Sequence, residues 1–160
     1  EEYGIAKSAG ELVSDTRSRL QTLLHCPAKQ VIFTPTATIA LNIILQGLCR
    51  TGVKNIYVSP FEHNAVTRTL HHFEKTEKIN IVQLSVTSKL QYDLEKIRYQ
   101  FDDLKPDVVV VSHASNVIGL IAPAAEIFDL AKKYDSYTVL DMSQTAGLVD
   151  CDVGLSLIHI

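Results

Sequence analysis

The chain of 160 residues has little cysteine, no excess charge of one sign and no long apolar run. Its three cysteines, Cys26, Cys49 and Cys151, stand far apart with no CxxC pair, which argues against a disulfide framework and a zinc knuckle and fits a reducing, cytoplasmic setting. Fifteen Lys and Arg face 18 Asp and Glu, a formal net charge of -3, so no positive excess steers the chain toward nucleic acid or anionic lipid. The longest apolar run, "VIGLIAPAA", is too short to span a bilayer, and the acidic start "EEYGIAKSAG" is unlike a signal or transit peptide. Repeats, low-complexity tracts and Pro/Gly linkers are absent, so a single domain is expected. GxGxxG and GxxxxGK[ST] are absent too, which weakens a dinucleotide or P-loop reading. There is no initial methionine, and the end, "GLSLIHI", completes no element; a fragment is expected.

What is present is a 46% hydrophobic content, enough for one sizeable core, and an alternation of two periods. Runs rich in β-branched residues predict strands at "QVIFT" (30–34), "NIYVS" (55–59), "NIVQLS" (80–85), "DVVVVS" (107–112) and "YTVLD" (137–141). Helical spacing appears at Leu12, Val13, Leu20, Leu23 and Leu24, at Val66, Leu70 and Phe73, at Leu94, Ile97 and Phe101, and at Ile127, Leu130, Ala131 and Tyr134. The segment 38–48, "TIALNIILQGL", is apolar nearly all round and predicts a buried helix. Strands alternating with helices imply βαβ units, a mainly parallel sheet and a three-layer α/β/α sandwich.

In such sheets ligands gather beyond the carboxyl ends of the strands. Four of the predicted strand tips are polar: "TPTATIALN", "SPFEHNAV", "HASNVIG" and "DMSQTAG". In the first, free helix-start N–H groups and the helix dipole favour an anion, with Thr36 and Thr38 as hydroxyl donors; alone, Thr36 reads as an ordinary helix cap. His63 reads alone as a cap or surface residue, but at a strand tip an imidazole can stack on a flat ring or move a proton. His71 and His72 read as surface residues, His113 as a loop hydrogen-bonder, and His25 as a partner of a helix C-terminus. Asn116 reads alone as a turn residue and Asp141 as an N-cap. Their combination with Gln144 offers more: an anion cradle, an imidazole, amides and a carboxylate at four tips of one sheet. Pyridoxal phosphate is a ligand that uses all of them, having a phosphate, a flat ring, a phenolic oxygen and a pyridinium nitrogen that needs an anion. A non-catalytic or nucleotide-binding α/β domain is the rival, although it does not require the Asp141 and Gln144 pair.

The ordered set "VIFTPTATIALN", "FEHNAV", "SNVIG" and "VLDMSQTAG" resembles the large-domain core of class V, fold-type I aminotransferases, and is most similar to the cysteine desulfurase and selenocysteine lyase group. The resemblance runs from about the first helix to Val153. It implies that Thr36, Ala37 and Thr38 hold the phosphate, that His63 stacks on the ring and moves protons, and that Asn116 and Gln144 approach the ring oxygen. It implies that Asp141 pairs with the ring nitrogen, keeping it protonated so that the ring draws off carbanion charge. The implied activity is release of sulfur from cysteine to leave alanine, with a sulfur-acceptor protein as partner and a homodimer as the assembled state. Another class V aminotransferase, lyase or epimerase acting on an amino acid is the alternative.

Several departures accompany the resemblance. Thr36 replaces a frequent glycine and Ile39 a frequent glutamate, and none of the ten lysines follows Asp141, where the family's Ser-x-His-Lys supplies the lysine that bonds the cofactor. The cysteines match none of the desulfurase cysteine loop, and residues 154–160 match nothing in the family, reading as a foreign tail behind a partial large domain at 1–153. The expectations are thus that Thr38, His63, Asn116 and Asp141 share one cleft, that Asp141 is buried there, and that the chain alone is inactive.

Overall fold

The structure is a computed structural model that describes residues 3–149 and the backbone of 158–159. The first helix, α1 (Gly4–Leu23), is followed by an irregular segment and by α2 (Ala37–Arg50). Then come β1 (Asn55–Val58), α3 (Asn64–Glu77), β2 (Asn80–Gln83), α4 (Leu94–Asp103), β3 (Val108–Ser112), α5 (Ala124–Lys132), β4 (Tyr137–Asp141) and β5 (Ile158–His159). The strands form one sheet in the order β2-β1-β3-β4-β5, with every neighbouring pair parallel.

Period-two alternation along the strands feeds two cores. On one face Ile56, Val58, Val108, Val110 and Val139 pack with Leu41 and Leu45 of α2 and Val66, Leu70 and Phe73 of α3. On the other, Tyr57, Val109, Val111 and Leu140 pack with Ile97 and Phe101 of α4 and Ile127 and Phe128 of α5. The result is the expected three-layer α/β/α sandwich. The central β3 is buried along its whole length, as an unbroken valine run requires in a sheet covered on both faces.

Three expectations are corrected. The run "QVIFT" forms no strand. β-branched content makes a strand only where another backbone offers hydrogen bonds; here the Arg17 side chain donates to the Val31 carbonyl (3.0 Å) and lies 5.5 Å from the centre of the Phe33 ring. α2 is not buried all round: Leu41, Leu45, Leu48 and Cys49 face the core, while Ile43 is 62% exposed on the far side. Finally, Ile158 and His159, in the segment expected to complete no element, pair in parallel with Val139 and Leu140. Cys151 and the rest of 150–157 lie outside the described residues.

Candidate functional site

A cleft of about 240 Å³ opens at the carboxyl ends of β3 and β4, lined by Ala37, Thr38, Leu41, His63, Ser112, Ala114, Asn116, Asp141, Ser143 and Gln144. Parallel pairing explains why residues a hundred positions apart meet: all strands end on the same side, and Ser112 stands directly opposite Asp141 in the β3–β4 register.

Two helix N-termini reach the cleft. Thr36 caps α2, its hydroxyl accepting from the Ile39 N–H (3.2 Å), and the first turn lines the cleft through Ala37 and Thr38. The positive end of the α2 dipole therefore stands at the cleft and favours an anion. Thr36 does not line it; its hydroxyl serves the cap. His63 caps α3, with ring Nδ1 accepting from the Ala65 N–H (3.1 Å), which leaves Nε2 as the protonated nitrogen of the neutral ring. Its ring is exposed to the cleft, so capping and lining are compatible in one residue. The two helices are tied near this end by Asn42, which receives the Thr69 hydroxyl proton and donates to the Thr38 carbonyl (2.8 Å).

Asp141 is 7% exposed, and its Oδ1 accepts from both the N–H (2.9 Å) and the hydroxyl (2.5 Å) of Ser143. This turn satisfies a carboxylate at the end of a buried strand, as burial of a charge demands, while the residue still faces the cleft. Its main-chain oxygen accepts from the His113 N–H (2.9 Å). His113 is a loop hydrogen-bonder as expected, but a buried one: Nδ1 lies 2.8 Å from the Thr145 hydroxyl, and burial pushes its pKa down, favouring the neutral ring. That contact fixes the turn carrying Ser143 and Gln144 against β3. Asn116 projects from a loop closed by the Ala114–Ile121 bridge and by the Ser115 N–H to Leu120 carbonyl bond (3.0 Å). Gly119 makes that turn at φ 67, a backbone region glycine adopts without strain. His71 is exposed and contacts Glu74 (3.0 Å), and His72 is also exposed.

Sequence reasoning missed Glu62. Its carboxylate accepts from the Ser112 N–H (2.6 Å) and from the Ser112 hydroxyl (2.8 Å). Burial, with the charge of Asp141 as a lesser cause, pushes its pKa up to about 7 against the opposing hydrogen bonds of Ser112 and Ser59. The signal was present: an acidic residue at a strand tip beside His63 raises the same question as Asp141. Ser112 and Ser143 were missed for a plainer reason, since small hydroxyl residues at strand ends are common and unspecific.

Chemically, the cleft joins an anion-favouring helix start, an exposed flat imidazole, two side-chain amides and a nearly buried carboxylate. No group of three or more His, Cys, Asp or Glu suited to a metal occurs among the described residues. No described helix is long and apolar enough to cross a membrane.

Known proteins share both sequence and fold with this chain. The sequence model of the family described as "Aminotransferase class-V" matches residues 1–155. The cysteine desulfurase IscS of Dictyoglomus turgidum is 30% identical over 156 residues, covering 92% of this chain and 39% of its own length. Among solved structures, the apo cysteine desulfurase of Thermococcus onnurineus superposes with a TM-score of 0.85 at 19% identity, over 97% of this chain and 39% of the other. A NifS-like protein of Rickettsia africae superposes with a TM-score of 0.83 at 22% identity, over 98% of this chain and 43% of its own. The chain thus spans well under half the length of these relatives.

Proposed function

Because this chain belongs to the class V aminotransferase family, whose members depend on pyridoxal phosphate, we propose that it forms the cofactor-binding part of an enzyme of the cysteine desulfurase kind. The observation that carries the reading is the convergence of the α2 N-terminus, His63, Asn116, Asp141 and Gln144 on one cleft. The donor set fits the cofactor. Thr38, Ala37 and the α2 start suit its phosphate, Asn116 and Gln144 can donate to its phenolic oxygen, and the Asp141 carboxylate suits a protonated ring nitrogen. Bound there, pyridoxal phosphate supplies an electron sink for carbanion charge. The chain's own part is to hold the anion, present a flat imidazole to the ring and keep a carboxylate fixed by Ser143. The substrate assigned to the whole enzyme is cysteine, which loses sulfur to an acceptor protein and leaves alanine; the relatives named cysteine desulfurase support this.

A homodimer and a cytoplasmic location belong to the same proposal. The dimer is supported by large apolar side chains standing in solvent, among them Val117, Ile118, Ile121 and Leu148. The location is supported by Cys26 and Cys49, which are buried free thiols.

The test is titration of the chain with pyridoxal phosphate, followed by its absorbance. Wild type should bind reversibly, losing the cofactor on dialysis, and Asp141→Ala should weaken binding about tenfold or more, as loss of a charged hydrogen-bond partner does. No desulfurase or transaminase turnover is expected from this chain alone. Absence of binding, or a stoichiometric borohydride-stable adduct on one lysine of residues 1–160, would overturn the assignment of the cleft.

A further inference from the structure

Among the described residues, Glu62 is a carboxylate at the cleft end of the sheet for which the proposed cofactor reading supplies no task. It lies in the turn between β1 and α3, directly before His63, and reaches across to β3. There it takes both donors of one residue, the N–H and the hydroxyl of Ser112. Ser112 is buried, lines the cleft and is the register partner of Asp141. A single side chain therefore joins the segment that carries the imidazole to the strand tip that adjoins Asp141.

The surroundings of Glu62 are hydroxyls and acids. Ser59, buried at the end of β1, lies beside both Glu62 and the Tyr92 phenol and accepts from the Phe61 N–H (3.1 Å). Tyr92 packs edge-on against Phe61, with ring centres 5.9 Å apart. Burial, with a smaller part from the charge of Glu62, pushes the Tyr92 phenol up to about 12, so it stays protonated. The neighbouring acid whose charge adds to the effect of burial on Glu62 is Asp141. Two neighbouring acids at one strand end cannot both ionise cheaply.

We propose, resting on the cofactor reading above, that Glu62 is a positioning residue: it clamps the His63 segment to the β3 tip and holds a proton there, through its two bonds to Ser112, the register partner of Asp141. The two carboxylates are held differently. Asp141 receives an N–H and a hydroxyl from its own turn. Glu62 is half-buried, and its carboxyl can keep its bonds to Ser112 with a proton attached, accepting from the N–H on one oxygen and sharing the hydroxyl on the other.

Two variants separate the clamp from the proton. Glu62→Gln keeps an acceptor for the Ser112 N–H and a donor for its hydroxyl but has nothing to titrate; Glu62→Ala removes both. The first measurement needs no cofactor: the thermal midpoint of each chain between about pH 5 and about pH 8. The folded pKa of Glu62 lies above its ordinary value, so the folded chain holds the proton more tightly than the unfolded one. The stability this contributes is fully present below the ordinary carboxylate range and is lost as pH rises through about 7. The midpoint of wild type relative to Glu62→Gln should therefore fall across this window. In an Asp141→Asn background the fall should move to lower pH, because the neighbouring charge is gone. Glu62→Ala should melt below Glu62→Gln throughout.

The second measurement is pyridoxal phosphate affinity, expected within about threefold of wild type for Glu62→Gln and weaker by about tenfold for Glu62→Ala, the loss of a pair of hydrogen bonds to a carboxylate. A pH-independent difference between wild type and Glu62→Gln, or an unmoved fall with Asp141→Asn, would overturn the proton assignment. Cofactor affinity unchanged in Glu62→Ala would overturn the clamp. If wild type itself binds no cofactor, the proposed function falls, while the melting measurements still decide where the proton sits.

Discussion

α1 and α4 present opposite outcomes of the same kind of sequence pattern. α1 runs for 20 residues and buries none of them; α4 runs for 10 and buries Ile97 and Phe101 completely. Both carry apolar residues at helical spacing. In α4 that stripe meets the sheet through Tyr57, whose ring stands edge-on to Phe101 with centres 4.8 Å apart, and whose hydroxyl donates to the Gln100 and Leu104 carbonyls (both 2.8 Å). In α1, Ile5, Leu12 and Leu23 stay in solvent, and the helix is tied to its neighbourhood mainly by polar contacts, such as Gln21 to the Lys29 carbonyl and Arg17 to the Val31 carbonyl. Periodicity shows that a helix has a face to cover. It does not say which surface covers it.

The largest test of that contrast is a pair of truncations. Phe101→Ala should cost about 3–5 kcal/mol, because a fully buried ring is replaced by a cavity in a two-faced core. Leu12→Ala should change stability by less than about 0.5 kcal/mol, since the side chain is already in water. Urea unfolding of both variants measures this, and equal losses would show that α1 is packed in solution as α4 is.

The same contrast explains how far the sequence could be read. β1, β3 and β4 were legible because an apolar run with helices on either side has few other solutions, and the strand tips then placed Thr38, His63, Asn116, Asp141 and Gln144 at one end of the sheet. "QVIFT" was misread because its composition is that of a strand while its partner is not supplied by the described residues; Ile32 is 77% and Phe33 49% exposed. Ile158 and His159 were missed for the converse reason, since two residues carry too little pattern to declare a strand, yet the free edge of β4 accepts them. Glu62 was passed over although its place beside His63 at a strand tip marked it, because its contact with Ser112, fifty positions away, is one that no local pattern encodes.

Capping gives a test of intermediate size. Asp93 closes the start of α4, its Oδ1 accepting from the Lys96 N–H (3.1 Å), with the Lys96 ammonium 3.5 Å from the other oxygen. The N-cap of α1, Tyr3, makes no such side-chain bond. Asp93→Ala should therefore destabilise the chain by about 1 kcal/mol, nearly all of it from the cap, because exposed ion pairs of this kind contribute little. Thermal melts at low and high salt check the division: a loss that disappears at high salt would assign the effect to the ion pair instead.

The smallest effect expected is on pH dependence, and it tests whether the packed half of the molecule extends to the cleft. His113 is buried, faces the Thr145 hydroxyl at 2.8 Å and has Asp141, whose main-chain oxygen takes its N–H, as its acidic neighbour in the sheet. Burial lowers its pKa, so the folded chain binds the imidazole proton less tightly than the unfolded chain does. Stability linked to His113 is therefore complete above the ordinary histidine pKa of 6.5 and declines as pH falls below it. His113→Gln, which keeps a polar group within reach of Thr145, should remove that decline. The midpoint of wild type relative to His113→Gln should rise with pH through this range, the opposite slope to that expected when wild type is compared with Glu62→Gln. The two slopes have a common origin in enclosure: withdrawal from water favours the neutral form, which for an imidazole is the deprotonated one and for a carboxyl the protonated one. Slopes of the same sign in the two comparisons, or none in either, would mean that water reaches the strand tips freely, and the cleft would then belong with α1 rather than with the core.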